Sequence, residues 1–251
     1  MSHSFSYIIG YRHKPERLNN LKRVLEWLSG FGGIEIIIVE QDKQPKLTEL
    51  TFKGIKHVFT KSEMPYNRSW AFNVGLKYAN SNVIGFGDSD LIMNPNEMIS
   101  ALNLLESYDC VSPYKSVLDL TPQESGLHIE QLSQISRPGR GETDNQKINL
   151  CGGIVFYKKD AIYKIGGWCE DFIGWGGEDN FQEYKTNNFL TSHECQYRCY
   201  HLWHERPAPD PQLYPRTMDL LNKLLTLSKD DLVRHINLNS NKIGQINKYD
   251  N

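Results

Sequence analysis

Phe5-Ser6-Tyr7-Ile8-Ile9-Gly10, a helical run opened by Pro15, and Ile34-Glu35-Ile36-Ile37-Ile38-Val39 follow one another at the start of the chain. Leu18, Leu21, Val24, Leu25 and Leu28 recur at intervals of three and four, so they share one helix face. Pro15 suits the first turn of that helix, and Gly32-Gly33 ends the segment. Ile34 to Val39 is almost entirely β-branched, as a strand buried on both faces requires. Strand, helix, strand in this order predicts a parallel α/β sheet. Ligands of such sheets bind beyond the carboxyl ends of the strands. That rule puts Arg12, Lys14 and Glu40-Gln41-Asp42 at the mouth of a site.

The alternation continues. A short strand is expected at His57 to Thr60, a helix at Tyr66 to Asn80, and a buried strand at Val83 to Phe86. The last runs into Gly87-Asp88-Ser89-Asp90. Two carboxylates flanking one residue at a strand end suit a divalent cation that bridges phosphates, although Asp is also a common turn and cap residue. Met98 to Leu105 reads as a helix and Cys110 to Ser112 as a strand. Residues 116–149, with Thr121-Pro122 and Arg137-Pro138-Gly139-Arg140-Gly141, read as a surface excursion. Ile154 to Tyr157 returns as a strand, Lys159 to Ile165 as a short helix, and Glu194 to Cys199 as a strand. Pro207, Pro209, Pro211 and Pro215 exclude regular helix or central strand there. Met218 to Leu227 is helical, and the polar, Asn-rich residues beyond Ser228 are expected to be loosely held.

The chain has 251 residues, 39% hydrophobic and 23% charged, enough for one large core. A formal net charge of -2 gives no bulk attraction to nucleic acid or to an anionic membrane. The N-terminus lacks the basic and apolar regions of a signal peptide, and no apolar run is long enough to span a bilayer. Five cysteines without a secretion signal suggest free thiols and a cytoplasmic protein. The spacing Cys195-x3-Cys199-x-His201-x2-His204 admits a structural zinc site, but a very compact one.

Ile173-Gly174-Trp175-Gly176-Gly177-Glu178-Asp179-Asn180 carries the chemistry. Three glycines let backbone and ligand approach closely. Trp175 offers an aromatic face, and Glu178 and Asp179 fall in the first turn of a helix expected over Glu178 to Asn187. An aromatic platform beside carboxylates is the makeup of a carbohydrate site. A glycine-rich loop whose acids merely cap a helix is the plainer alternative.

Taken with its neighbours, this run resembles the GT-A glycosyltransferases, most closely the β-1,4-galactosyltransferase group. Ile8-Ile9-Gly10-Tyr11-Arg12-His13-Lys14 is similar to that family's strand ending in Pro-Phe-Arg-Asn-Arg. Tyr66-Asn67-Arg68 with Asn73-Val74-Gly75 is similar to its Phe-Asn-Arg…Asn-Val-Gly helix, and Asp88-Ser89-Asp90 to its Asp-Val-Asp. Gly152-Gly153 through Gly174-Trp175-Gly176-Gly177-Glu178-Asp179 is similar to its Gly-Gly…Gly-Trp-Gly-Gly-Glu-Asp block, and His201 to His204 to its Met-x-x-His. The resemblance implies a mixed, mostly parallel sheet flanked by helices. It implies a catalytic domain over residues 1–227, with a nucleotide-sugar half at 1–115, an acceptor half at 150–216, and a polar tail at 228–251. Tyr11, Arg12, Lys14, Tyr66 and Arg68 would hold the nucleotide and diphosphate, with Asp88 near the ribose. Glu40, Ser89 and Gly153 are placed on the donor side with them. Asp90 and His204, with His201, would bind Mn²⁺ or Mg²⁺. Trp175, Gly176, Gly177 and Glu178 would face the acceptor, and Asp179 would be the catalytic base.

The implied activity is inverting transfer of a hexose or N-acetylhexosamine, UDP-galactose or UDP-N-acetylgalactosamine favoured, to a glycan or glycoconjugate hydroxyl, as in polysaccharide biosynthesis. Departures from the pattern matter. His201 replaces Met, Lys14 replaces an Arg and loses its bidentate fork, and Asn180 replaces an acid. Leu150 stands where galactose-preferring members have Tyr, a change associated with tolerance of N-acetylgalactosamine. The family's membrane anchor and stem have no counterpart, which favours a bacterial or viral cytoplasmic enzyme over a Golgi one, with any membrane contact peripheral, through a lipid-linked acceptor. A retaining transferase, a nucleotidyltransferase and a non-catalytic sugar-nucleotide-binding module are the rival readings. Trp203 is read as core rather than as a sugar platform.

Overall fold

The computed structural model describes residues 5–47, 54–143, 147–206 and 208–249. Expectations that fell on residues 1–4 and on Pro207 lie outside the described residues. Among the described residues no helix is long and apolar enough to cross a membrane.

β1 (Phe5–Tyr11), α1 (Pro15–Ser29) and β2 (Ile34–Asp42) form the opening unit. β3 (Ile55–Lys61), α2 (Arg68–Tyr78) and β4 (Val83–Gly87) follow. The order β3-β2-β1-β4 is parallel throughout, with Ile8 beside Ile37 on one flank and Phe86 on the other. Successive strand residues face opposite sides. Phe5, Tyr7 and Ile9 therefore join Leu21, Val24, Leu25 and Leu28 of α1 in one core, while Ile8, Ile37 and Val39 join Trp70, Phe72, Val74 and Leu76 of α2 in another. Burying each such side chain is worth about 1.5–3 kcal/mol, several times what helix propensity supplies per residue. At Gly75 a Cβ would run into Ile8 Cγ2, so only glycine lets α2 lie this close on the sheet.

Beyond β4 come β5 (Leu91–Met93), α3 (Pro95–Asn103), β6 (Cys110–Ser112), β7 (Ser116–Asp119) and α4 (Ile129–Leu132). Then follow β8 (Val155–Lys158), α5 (Lys159–Lys164), α6 (Glu178–Phe189), β9 (Ser192–Glu194), β10 (Arg198–His201), α7 (Leu213–Leu225) and α8 (Lys229–Ser240). β8 inserts antiparallel between β4 and β6, and β9 closes that edge parallel to β6. A separate three-stranded sheet, β5-β10-β7, holds β10 antiparallel to β5 and parallel to β7.

Four expectations need correction. Residues 116–149 are not simply a surface excursion, because Val117, Leu118, Leu120 and Leu132 are buried in the first core and Val117 bridges to Arg140. Glu194 to Cys199 is two short strands in different sheets, separated at Cys195, whose N–H donates to Ser112 O at 2.9 Å. α7 begins at Leu213, with Pro215 in its first turn, where a missing N–H costs nothing. The segment beyond Ser228 is not loose: the Ser228 side chain caps α8, Leu232, Ile236 and Ile243 are buried, and Trp70 Nε1 donates to Gln245 O at 2.8 Å.

Candidate active site

The two sheets meet at the carboxyl end of β4. Asp88, Ser89 and Asp90 leave β4, and β5 begins at the next residue, Leu91. Antiparallel pairing sets His201 of β10 opposite Leu91, and Leu202 N–H donates to Asp90 O at 2.8 Å. Parallel pairing on the other side sets His201 opposite Asp119 of β7. Backbone register alone thus assembles Asp90, His201 and Asp119, and His204 follows three residues on. His204 Nε2 lies 3.2 Å from Asp90 Oδ2, and His201 Nε2 lies 3.8 Å from Asp90 Oδ1. One donor atom from each of these three residues lies within 4.8 Å of the others, the arrangement of a metal centre. Asp90 holds the His204 imidazolium above the ordinary His range, chiefly through their hydrogen bond.

Asp119 has no counterpart in the sequence motifs. Its Oδ1 is 3.1 Å from His201 Nδ1, and it also takes two hydrogen bonds from Arg140 and one from Arg206 at 2.5 Å. This carboxylate on the far nitrogen, with Arg206 Nη2 3.2 Å from the same Nδ1, holds the ring so that Nε2 is aimed at Asp90. Cys195 and Cys199 take no part: both are buried in the core, and Cys199 Sγ donates to Ile92 O. The compact zinc reading is therefore not realised.

Arg68 organises the other half of the cleft. Asn67 caps α2 by accepting from Trp70 N–H at 2.9 Å, and Arg68 is the first helical residue. Its guanidinium packs over Phe72 and Trp168. Nε donates to Asp88 Oδ1 at 2.7 Å, and Nη1 donates to Asp179 Oδ1 in a very short contact. Arg68, expected on the diphosphate, ties the strand-end acid to the loop acid. Around this one cation stand three carboxylates, Asp88, Asp179 and Glu178. Burial first, then Glu178 and Asp88, push the Asp179 carboxyl up to about 7 against the pull of Arg68.

Asp179 follows a loop in which Gly174, Gly176 and Gly177 all adopt positive φ. Gly177 caps α6 at φ 90°, and a Cβ there would lie 2.7 Å from Phe172 Cε1. Glu178 is buried and accepts from Gly176 N–H at 3.0 Å. Trp175 is 65% exposed and stacks on Tyr214 at 5.7 Å. Trp203, expected in the core, is 46% exposed. Gly153, at φ 91°, turns its carbonyl to Arg68 Nη2 at 3.4 Å and packs on Tyr114, whose hydroxyl bonds Gly152 O and Ile154 N–H.

The remaining donor-side residues divide. Arg12 is anchored to the end of β2, donating to Gln41 O at 2.8 Å and to Gln41 Oε1 at 3.3 Å, and lies over the Tyr66 ring. Tyr66 sits against Gly10, Tyr11 is buried with its hydroxyl toward His13, and Lys14 is exposed ahead of α1. Ser89 is buried between the two acids. Glu40 is not presented to this cleft. It is fully buried, accepting from Lys46 and Leu47 N–H and meeting His57 Nε2 at 2.9 Å, so it braces the turn after β2. Gln41, its neighbour at the strand end, does the bridging, from Arg12 to the Asn67 backbone.

The glycosyl transferase family 2 profile matches residues 11–166. Chondroitin synthase of Escherichia coli is 24% identical over an alignment of 201 residues, and the match covers 65% of this chain and 29% of that protein. The chain thus spans under a third of the length of that curated relative. A Drosophila β-1,4-galactosyltransferase 7 variant, in complex with manganese, UDP-Gal and xylobiose, superposes with TM-score 0.54 at 16% identity, over 92% of this chain and 79% of that one. GalNAc-T7 with UDP, GalNAc and Mn²⁺ superposes with TM-score 0.61 at 14% identity, over 95% of this chain and 54% of that one. These likenesses establish the mixed, mostly parallel α/β architecture expected of a GT-A fold.

Proposed function

Because the chain belongs to glycosyl transferase family 2, we propose that it moves a hexose or N-acetylhexosamine from a nucleotide-diphosphate donor to a hydroxyl of a glycan acceptor, with inversion at the anomeric carbon. One observation carries this reading. Asp179 and the Asp90-His201-His204 centre stand at the two ends of one connected array, Asp179–Arg68–Asp88, with Ser89 between the two strand-end acids.

Two imidazoles and a carboxylate suit Mn²⁺, or Mg²⁺ with added oxygen ligands from phosphate and water. A cation held by Asp90, His201 and His204 would offset the negative charge that builds on the leaving diphosphate. Arg12 and Lys14 add positive charge at the ends of β1 and β2. Tyr66 lines that end of the sheet for the nucleotide, while Tyr11 is buried in the core there. Asp179, with a carboxyl poised near neutrality, accepts the proton of the attacking hydroxyl. Arg68 positions that carboxylate, and Glu178 gives the glycine loop its fixed shape. Trp175 and Tyr214 offer a stacked aromatic surface to acceptor sugars and to water exclusion. Leu150, buried in the second core in place of the Tyr of galactose-preferring members, is the basis for favouring UDP-N-acetylgalactosamine alongside UDP-galactose.

A donor screen tests this. Protein and Mn²⁺ are given UDP-galactose, UDP-N-acetylgalactosamine, UDP-glucose, UDP-N-acetylglucosamine and GDP-mannose with mixed glycan acceptors, and released nucleotide is measured. Metal-dependent release lost in Asp179→Asn supports the transferase. The anomeric coupling of the product distinguishes inversion from retention. Binding of UDP without release from any donor would replace the reading with a sugar-nucleotide-binding module.

A further inference from the structure

Away from the cleft, three metal-type side chains converge. Cys169 and Asp171 lie between α5 and the glycine loop, and His235 lies on α8. Cys169 Sγ is 3.9 Å from Asp171 Oδ2 and 4.0 Å from His235 Nε2, and a donor atom of each lies within 4.8 Å of the others. They line a cavity of about 320 Å³ with Phe181, Lys185 and Asn239.

These contacts are long for hydrogen bonds among the three. Nor do they make a nucleophilic dyad, which needs its orienting group on the second imidazole nitrogen. Here Asp171 faces the thiol, and Asn239 Nδ2 approaches the same Nε2 at 3.3 Å. A tetrahedral zinc with bonds of about 2.3 Å to sulfur and 2.0–2.2 Å to nitrogen or oxygen has edges of roughly 3.3–3.7 Å. The two separations from sulfur, 3.9 and 4.0 Å, lie within about half an ångström of that, and the third pair lies within 4.8 Å. A thiolate, a carboxylate and a neutral imidazole together balance a divalent charge. Ligation at Nε2 displaces only the 3.3 Å contact, since Asn239 keeps its bond to His235 O at 3.0 Å. Burial first, then Asp171, push the Cys169 thiol up to about 11 against the smaller pull of Lys185, so the metal itself must displace the thiol proton on binding. The cavity supplies room for a water as fourth ligand.

We propose that Cys169, Asp171 and His235 form a structural divalent-metal site of zinc-like preference, pinning α8 to the stem of the glycine loop. It is chemically distinct from the Asp90-His201-His204 centre, because only it offers sulfur.

Cobalt(II) and zinc(II), each added alone to the full chain, are the probes. Cobalt should give the near-ultraviolet absorption of a thiolate–metal bond in the wild type and in Asp90→Asn, but not in Cys169→Ser. Zinc should raise the melting temperature of the wild type, while its affinity falls at least about tenfold in Cys169→Ser and in His235→Gln. The His235→Gln variant stands in if loss of Cys169 prevents folding. A cobalt spectrum without thiolate absorption overturns the proposal, as does zinc affinity unchanged in both variants. Loss of transferase activity in Asp90→Asn leaves it untouched, so the two metal readings fail separately.

Discussion

The two walls of the cleft are built by different means. On the metal-type wall, His201 and Asp119 are register partners in one small sheet and Asp90 immediately precedes its β5, so backbone pairing places all three. On the acceptor-type wall, Asp179 follows a loop of positive-φ glycines, and one guanidinium, Arg68, ties it to the other wall. The first wall is preorganised by strands. The second has a glycine-rich backbone, an exposed Trp175, and ties that run through Arg68 and through the Gly174 N–H to Tyr66 O at 2.9 Å. A site that must close over one substrate after admitting another is served by such an asymmetry.

Asp179→Asn acts on the loop wall alone and carries the largest expected effect. It keeps the shape of the loop and leaves the metal-type wall intact. Turnover should fall by about 10²–10⁴-fold, the usual worth of a positioned base, while Mn²⁺ and UDP affinity measured by calorimetry stay within about twofold. An equal loss of nucleotide binding would show that the two walls are not separable. On the opposite wall, Asp119→Asn removes the group that orients His201. Metal affinity should fall by about 10–100-fold, with kcat recovered at saturating Mn²⁺. A kcat that stays low under saturation would move Asp119 from orienting an imidazole to touching substrate. Trp175→Ala is a smaller test. Stacking on a sugar or a neighbouring ring is worth about 0.5–1.5 kcal/mol, so acceptor KM should rise by up to about tenfold. Thermal stability should hold, because the side chain is 65% exposed.

The sheet was legible because its apolar runs are continuous and its helix pattern is clear. Asp88, Asp90 and Asp179 were legible for a related reason: acids at a strand end and after a glycine run occupy positions where backbone geometry leaves little choice. His201 and His204 showed in their spacing, but their meeting with Asp90 depends on β10 pairing with β5 across a long stretch of chain. Asp119 lay beyond reach, since nothing near Ser116-Val117-Leu118-Asp119 announces a strand that will join β10. α8 was hidden by composition, its Asn and Asp residues outweighing Leu232 and Ile236, whose spacing of four marks one buried face. Glu40 shows the converse, a strand-end acid in the expected place that is spent on its own turn.

The pH dependence separates the walls most finely. Asp179 is raised toward about 7 by burial, Glu178 and Asp88. A base works only when deprotonated, so kcat/KM should climb with pH through that value, by about tenfold per unit below it and less than about twofold between pH 7 and 8. Stability should move the other way. The folded carboxyl keeps a proton that the unfolded chain releases near its ordinary value of 3.8, so the folded state binds more protons between those values. The metal-free protein should therefore lose stability as pH rises through about 7, and Asp179→Asn should flatten that slope in pH-dependent melting curves. A divalent cation at Asp90, His201 and His204 adds positive charge to the far end of the Asp88–Arg68–Asp179 array, which stabilises ionised Asp179. Mn²⁺ should thus shift the midpoint downward in the wild type and leave it in place in Asp90→Asn. A midpoint indifferent to metal in both would mean that the two walls share a cleft without sharing electrostatics.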